Sequence, residues 1–396
     1  MTILPTAING DHRELMLDRA RLELSQGRAI LVRSDSGARL VVALESVLPA
    51  TYEAVRDIAD RQGLGVVLSR RRAAALQLID TADVENGSLG VAAGFARDTT
   101  LDALRRHLII GETENSPLFK LTASDESDVS SEDVLLTLAM ESQLLPVLVS
   151  AGVSDAAISS VDAAVSAGDI VTIGLDPGLG AWFSARTEDC EVVPVARADV
   201  PLIEGVYSRF TLFRGGRPLD EHIAVQIGQI DHTKPVPVRM HSSCLTGDLF
   251  GSLRCDCGPQ LIAAIETIAE RGSGIILYLS QEGRGIGLAN KLRAYELQDR
   301  GLDTYEANDH LGFGADQRRF DIAAAMLKSM EIDNILLLTN NPGKIDALER
   351  EGVTVSGRLP LTGGLNRFNS RYLRAKIEKG GHFSEAGERA KIDPGF

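Results

Sequence analysis

Residues 240–258 read MHSSCLTGDLFGSLRCDCG, which places Cys244, Cys255 and Cys257, three of the chain's four cysteines, within fourteen residues. The stretch leaves an expected strand carrying His241 and enters a helix expected over Gln260–Glu270, a strand-to-helix connection of the kind α/β domains are built from. Cys255 and Cys257 flank Asp256 on a tight turn ending at Gly258, and Cys244 supplies a third sulfur from upstream. Three soft ligands fill three corners of a tetrahedron and leave one open, the stoichiometry of catalytic rather than structural zinc. Zinc so held lowers the pKa of a bound water to ~7 and makes a nucleophile available at neutral pH. The competing reading is a set of buried or redox-paired cysteines.

Working outward, 396 residues with 44% hydrophobic and 24% charged composition exclude disordered and fibrous classes and leave room for two or three full-sized cores. Lys plus Arg total 41 against 55 Asp plus Glu, a net charge of -14. Nonspecific attraction to nucleic acid or an anionic membrane is therefore not expected, and an anionic ligand must meet a local basic pocket. The opening MTILPTAINGDHREL lacks the n- and h-regions of a signal peptide, and no apolar run reaches the ~18 residues of a membrane span. With few cysteines, these features point to the cytoplasm.

The pattern predicts α/β (α+β) architecture in two domains, residues 1–199 and 200–396, each a mixed sheet with flanking helices. In the first half, helices are expected over Glu14–Leu24 and Tyr52–Gln62, with strands at Ala29–Arg33, Leu40–Leu44 and Val66–Ser69. Thr122–Asp133 reads as a polar loop, with Ser130 or Ser131 capping the next helix, and Ser154–Gly168 as a further helix. In the second half, Tyr207–Arg214 and His222–Ile227 read as antiparallel strands. They are followed by strand Gly274–Leu279, a helix ending at Asp299, helix Phe320–Met330 and strand Ile335–Thr339. No repeat of fixed period is present.

Several loops could carry chemistry. Gln281-Glu282-Gly283-Arg284-Gly285-Ile286-Gly287 follows an apolar strand and opens a helix, where backbone N–H groups receive phosphate; without G-x-G-x-x-G or a Walker pattern it could equally be a plain turn. Thr339-Asn340-Asn341-Pro342-Gly343-Lys344 offers a hydroxyl, two amides and an ammonium at another helix start, or simply a helix cap. Asp316 and Arg318, in a glycine-broken loop, form either acid/base and phosphate-binding machinery or an exposed ion pair with Asp316 as a cap. Tyr295 reads as a helix-face packing residue, and His241 as a fourth zinc ligand, a supporting residue or a substrate contact.

Taken in order, RMHSSCLTGDLFGSLRCDCG, YLSQEGRGIGLANKLRAYELQD, DTYEANDHLGFGADQRRFDIAA and LLTNNPGKIDAL resemble GTP cyclohydrolase II over roughly residues 200–380. The resemblance implies zinc- and magnesium-dependent opening of the GTP imidazole ring at C8. Formate and pyrophosphate leave and 2,5-diamino-6-(5-phosphoribosylamino)pyrimidin-4-one remains, the first intermediate of riboflavin biosynthesis; a homodimer is also implied. Cys244, Cys255 and Cys257 become the ligands of one zinc per subunit, whose fourth position holds the attacking water. Arg239, Met240, His241, Ser242, Ser243, Gln260, Glu282, Gly283, Arg284, Thr304, Thr339 and Lys344 become GTP contacts. Asp316 becomes the proton acceptor and Arg318 the group assigned as nucleophile at the α-phosphate, with Tyr295 near the reacting ring. Physically, Glu282 suits guanine's donor edge, whereas a guanidinium with a pKa above ~12 is a poor nucleophile and Arg318 better holds phosphate oxygens as charge develops. Ser243 stands where many relatives carry Glu, and Ser280 where a basic residue is frequent. They leave open a paralogue acting on another nucleotide; a nucleotide-sensing protein whose zinc is structural is a third reading.

In many bacteria that enzyme is fused behind a 3,4-dihydroxy-2-butanone 4-phosphate synthase domain. GRAILVRSDSGARLVVA resembles the start of that partner only faintly: its acidic run DDEDRENEG is replaced by Ser34-Asp35-Ser36-Gly37, and its GHTE element has no counterpart. Without carboxylate-held magnesium and acid/base residues, residues 1–199 are expected to be catalytically silent.

Overall fold

The computed structural model describes residues 11–35, 37–84, 88–112, 118–122, 129–175, 190–202, 205–216, 220–314, 316–361 and 363–383. The chain divides into two compact units, one of Met1–Arg186 with Glu306–Ala315, the other of Thr187–Tyr305 with Asp316–Phe396. Each is a seven-stranded mixed sheet between helices, the architecture expected from the α/β pattern. Among the described residues no helix is long and apolar enough to cross a membrane.

The first unit contains strands β1 Ile30–Ser34, β2 Gly37–Ala43, β3 Ala59–Ser69, β4 Gly90–Phe95, β5 Leu118–Thr122, β6 Val147–Val153 and β7 Val171–Gly174. Their order across the sheet is β5-β4-β3-β6-β2-β1-β7, with β1 and β7 parallel and the remaining pairs antiparallel. Leu31, Leu40 and Val42 join one buried cluster and Ile30, Val32 and Val41 the other. Both faces are thus covered, which is why these strands read as continuous apolar runs. Helix α1 His12–Ser25 closes one face with Leu17, Ala20 and Leu24 at helical spacing, its start capped by the Asp11 carboxylate accepting the Arg13 N–H at 2.8 Å. Helix α2 Pro49–Ile58 ends earlier than the expected Tyr52–Gln62, because the chain from Ala59 onward pairs as β3 against β6.

Ser34-Asp35-Ser36-Gly37 closes the β1–β2 hairpin, with Ser34 paired to Gly37; Ser36 itself lies outside the described residues, as do 123–128 of the expected polar loop. Helices α3 Arg70–Ala75, α4 Leu101–Arg105, α5 Val129–Glu141 and α6 Asp155–Ala167 complete this unit, and Arg72 of α3, fully buried, donates to the carbonyls of Leu108 (3.1 Å), Ile109 (2.9 Å) and His310 (2.6 Å). Its guanidinium thus satisfies several carbonyl oxygens of this unit, including one on the 306–315 segment.

The second unit contains β8 Val192–Pro201, β9 Tyr207–Gly215, β10 Glu221–Ile227, β11 Val236–Ser242, β12 Gly274–Leu279, β13 Asn334–Leu338 and β14 Thr354–Leu359, ordered β14-β13-β11-β12-β10-β9-β8. The four strands β14, β13, β11 and β12 run parallel, and β10, β9 and β8 extend the sheet antiparallel. A domain boundary at residue 200 runs through the end of β8, an edge strand paired with β9 from Val192 to Pro201. From β11 the chain moves to β12 on one side and then crosses to β13 on the other. The carboxyl ends of β11 and β13 therefore frame a topological switch point, where crevices form in open α/β sheets.

Candidate active site

Three of the four loops singled out in the second unit leave carboxyl ends of this parallel sheet, 243–256 after β11, 280–286 after β12 and 339–341 after β13, while the Asp316/Arg318 loop runs between two helices. Their convergence follows from strand order, since β11 is flanked by β12 and β13.

The thiols of Cys244, Cys255 and Cys257 come together, their sulfur atoms all within 4.8 Å of one another and those of Cys244 and Cys255 at 3.6 Å. All three are free cysteines, so the redox-paired reading is not what the structure holds. Cys257 opens helix α7 Cys257–Glu270, whose N-terminal dipole favours a thiolate there. Gly247 lies over the trio. A Cβ at that position would come within 2.8 Å of the Cys255 sulfur and 3.0 Å of the Cys244 sulfur, so only glycine lets the loop wrap so closely. Hydrogen bonding from Cys255 and Cys257, with the Lys291 ammonium beside it, holds Cys244 far below the ordinary thiol range; sharing that thiolate pushes Cys255 up to about 11 and Cys257 well above the usual value. Without a cation among them the three sulfurs cannot all be charged, and the donor set matches a thiolate-bound zinc.

The thiol loop is fixed by two carboxylates. Asp248 accepts the Cys244 N–H at 3.0 Å and the Tyr278 hydroxyl at 2.9 Å, and both its oxygens lie 3.1 Å from His241 Nε2. This puts the His241 proton on Nε2 and turns the ring to stack on Tyr278, centroids 5.5 Å apart. Glu282 accepts the Leu245 N–H at 2.6 Å, the Gly283 N–H at 2.9 Å and the Lys291 ammonium at 2.7 Å. Lys291, on helix α8 Gly287–Asp299, also donates to the Cys244 sulfur at 3.1 Å. Tyr295 on the same helix sets its hydroxyl 3.3 Å from that of Thr246, inside the loop.

Arg239, Ser242, Cys257, Gln260, Arg284, Arg318, Thr339 and Lys344, all foreseen, line one cleft together with His241. Arg239 is buried; its guanidinium donates to the Leu338 carbonyl at 3.0 Å and the Gln260 carbonyl oxygen at 2.7 Å, and burial pulls its pKa down to about 10. Lys344, on helix α11 Pro342–Arg350, donates to the Met240 carbonyl at 2.8 Å, and burial holds its pKa well below the lysine range. Met240 itself packs its side chain in the core and contributes only that carbonyl. Three buried polar atoms of β11 residues, Arg239 Nε, His241 Nδ1 and Ser242 Oγ, have no partner among the described residues. Buried polar atoms left unsatisfied in a cleft are positions for ligand atoms.

Gly283, Arg284 and Gly285 all have positive φ, at 64°, 64° and 91°. Arg284, the non-glycine of the three, is held over the Tyr305 ring at 4.4 Å and within 3.6 Å of Asp316. Asp316 accepts the Arg318 backbone N–H at 3.1 Å and pairs with its guanidinium through both oxygens. The next helix, α10 Asp321–Ser329, begins beyond Phe320, so Asp316 is not a helix cap, and the ion pair joins an exposed Asp316 to a guanidinium that is mostly covered. Burial opposes charge on Asp316, but Arg318 and Arg284 outweigh it and hold its carboxyl below the usual range.

Besides Met240, four of the foreseen GTP contacts, Ser243, Glu282, Gly283 and Thr304, are not among the residues lining this cleft. Thr304, at the start of helix α9 Thr304–Leu311, borders a neighbouring cavity with Arg254, Gln298 and Tyr372. Ser243 accepts the Gln281 N–H at 3.0 Å and shapes the loop. Glu282 has both oxygens engaged within the protein, as described. Conversely, Asn340, Asn341, Tyr372, Lys376 and His382 also line the cleft.

A model of the GTP cyclohydrolase II family matches residues 195–360. A GTP cyclohydrolase-2 from Azospirillum brasilense is 38% identical over 375 residues, covering 92% of this chain and 93% of its own length. The chain belongs to the GTP cyclohydrolase II family. It is an enzyme of that family, and its reaction is the GTP hydrolysis of riboflavin biosynthesis. Shorter GTP cyclohydrolase-2 proteins match about half of the chain: that of Azotobacter vinelandii is 52% identical over 202 residues (51% of this chain, 97% of its own). That of Shewanella frigidimarina is 54% identical over 162 residues (41% and 80%). Among solved structures, a two domain 3,4-dihydroxy-2-butanone 4-phosphate synthase from A. baumannii aligns over 82% of this chain and 93% of its own at 14% identity. The TM-score of that alignment is 0.29.

Proposed function

We propose that this GTP cyclohydrolase II opens the imidazole ring of GTP at C8, releasing formate and pyrophosphate and leaving 2,5-diamino-6-(5-phosphoribosylamino)pyrimidin-4-one. The observation that carries the reading is the single cleft in which Cys257 of the thiol trio meets four cationic side chains, Arg239, Arg284, Arg318 and Lys344, and the unsatisfied atoms of β11. In a chain of net charge -14, such a concentration of cations is the local basic pocket that a triphosphate needs.

Cys244, Cys255 and Cys257 would hold one zinc, which when bound supplies a Lewis acid and brings the pKa of a coordinated water to about 7. The purine is oriented from β11: His241 Nδ1 accepts, Ser242 Oγ donates or accepts, and Gln260 and Thr339 border the same surface. Arg239, Arg284 and Lys344 take the phosphates, with Mg²⁺ offsetting the remaining charge. Asp316, ionised between Arg318 and Arg284, accepts a proton, and Arg318 holds α-phosphate oxygens as charge builds there. Tyr295 acts near the reacting ring through Thr246 and the thiol loop. Glu282, Gly283 and Ser243 serve by shaping the loops. The working enzyme is a cytoplasmic homodimer, and the first unit makes no butanone phosphate, its hairpin turn replacing the acidic run.

Purified, zinc-loaded protein given GTP and Mg²⁺ should release formate and pyrophosphate together. Release of neither removes this reading, and release from ATP or ITP in preference to GTP replaces it with a paralogue. Turnover of ribulose 5-phosphate would overturn the silence assigned to the first unit.

A further inference from the structure

The family match ends at residue 360, yet part of the cleft wall comes from beyond it. Helix α12 Ser370–Glu378 and the turn after it bring Tyr372, Lys376 and His382 to the cleft that holds Arg318 and Lys344. This segment is tied down on two sides. The Phe383 N–H donates to the Asn340 carbonyl at 2.8 Å, on the loop after β13, and the Lys376 ammonium donates to Asp256 at 2.7 Å, the residue between two of the thiols. Asp256 in turn accepts from Gln260 at 2.6 Å, and Gln260 accepts from Arg239 at 2.7 Å. Lys376 therefore ends a chain of charge-assisted hydrogen bonds that runs from the helix, past the thiol turn, to the buried arginine of β11. Its ammonium has three donors and Asp256 takes one, so two remain for a ligand.

The surroundings suit an anion. Lys376 shares the cleft with Arg239, Arg284, Arg318 and Lys344, against Asp256 and Asp316, so cations exceed carboxylates before any ligand enters. His382 stands among these cations; burial, with Lys376, Arg318, Arg284 and Lys344 nearby, pushes its pKa down to about 3, so it remains a neutral ring that can donate without adding charge. Tyr372 lies against the Lys376 ammonium, 4.4 Å from nitrogen to ring centroid, and limits where that ammonium can point.

We propose that Lys376 is a further substrate-binding residue, a polyphosphate contact that α12 supplies, with His382 and Tyr372 completing that wall. The proposal rests on the GTP reading above and names part of the same site. It predicts that the C-terminal segment discriminates by phosphate chain length, because the cations it joins can be satisfied together only by a ligand with several phosphoryl groups.

The test uses the full-length, zinc-loaded protein and inorganic pyrophosphate with Mg²⁺, measured by titration calorimetry. K376Q should weaken pyrophosphate binding by roughly tenfold or more, the size of one charge-assisted hydrogen bond. KM for GTP should rise in parallel, with kcat within about threefold and zinc content unchanged. K376R, which keeps both the charge and the pairing with Asp256, should bind within about threefold of wild type, and H382A should show a smaller loss. Unchanged pyrophosphate affinity in K376Q and H382A overturns the proposal while leaving the GTP reaction standing. Lysine-dependent pyrophosphate binding in a protein that releases no formate supports the phosphate wall and sinks the reaction instead. A lowered kcat and lost zinc with unaltered pyrophosphate affinity would also overturn it, by assigning Lys376 to the thiol turn alone.

Discussion

The ammonium of Lys291 lies 3.1 Å from the sulfur of Cys244 and 2.7 Å from the carboxylate of Glu282, joining the metal-binding loop to the loop after β12 through one buried cation. Three thiolates around a divalent ion leave one negative charge, and Lys291 is placed to balance it. Lys291→Met should weaken zinc retention by roughly 10- to 100-fold in a chelator competition. It should also cost about 3 kcal/mol of unfolding free energy, since Glu282 is left buried and unpaired. Zinc affinity equal to wild type would show the contact to be incidental.

Replacing Cys255 by Ser removes one of the three clustered sulfurs. Bound zinc should fall far below one per chain, and formate release below ~1% of the wild-type rate, because both depend on the same coordinated water. Elemental analysis and formate assay on one preparation check both, and near-normal activity with no metal would remove zinc from the mechanism.

Asp316→Asn preserves shape but not basicity. With proton acceptance lost, kcat should drop by ~100-fold while zinc content and KM change little. The neighbouring Arg284 and Arg318 lose their shared counter-charge, so tighter rather than weaker binding of pyrophosphate is the accompanying expectation. A change confined to KM would make Asp316 a binding residue.

Lys344 gives the pH dependence. Burial, with Arg239 and Arg318 alongside, lowers its pKa well below that of free lysine. The charged form exists below that lowered value, so phosphate affinity is present on the acid side and lost as pH rises through it. KM for GTP should therefore climb on the alkaline side earlier than an ordinary lysine allows, and K344R, which stays charged, should flatten the rise. An identical alkaline limb in K344R would exclude Lys344 as its source.

Gly285 has φ of 91°, and a Cβ there would meet the Gln317 carbonyl at 2.5 Å. Gly285→Ala should destabilise the protein by on the order of 2 kcal/mol and loosen the Asp316 loop, since the Gln317 N–H is held by the Arg284 carbonyl at 3.1 Å. Thermal unfolding together with kcat reads both effects, and an unshifted melting temperature would show that the loop gives way easily.

Much of the cleft was legible because its chemistry is local in sequence. The thiol trio, the glycine turn at 283–285 and the 339–344 loop each carry residue types that few other roles require, and each follows an apolar strand. Lys291 and Asp248 escaped because a lone lysine on a polar helix and an aspartate in a loop resemble solvated surface until the fold buries them. Helix α12 was missed for the same reason: SRYLRAKIE shows one buried residue, Ala375, and no broad apolar stripe. Strand β8, VVPVARADVP, carries two prolines and mostly exposed side chains, so the pattern placed a boundary within what is an edge strand. Glu282, whose carboxylate suits guanine's donor edge, also accepts from Leu245, Gly283 and Lys291, contacts that its sequence neighbours do not announce.

Because β11 is flanked by β12 on one side and β13 on the other, the sulfur clamp, the glycine turn and the asparagine loop hang from three different strand ends. An insertion or exchange in one of them leaves the hydrogen-bonded ladders under the other two undisturbed. Selection can therefore retune the grip on the nucleotide's tail while the metal clamp stays in register, a modularity written into strand order rather than into any single side chain.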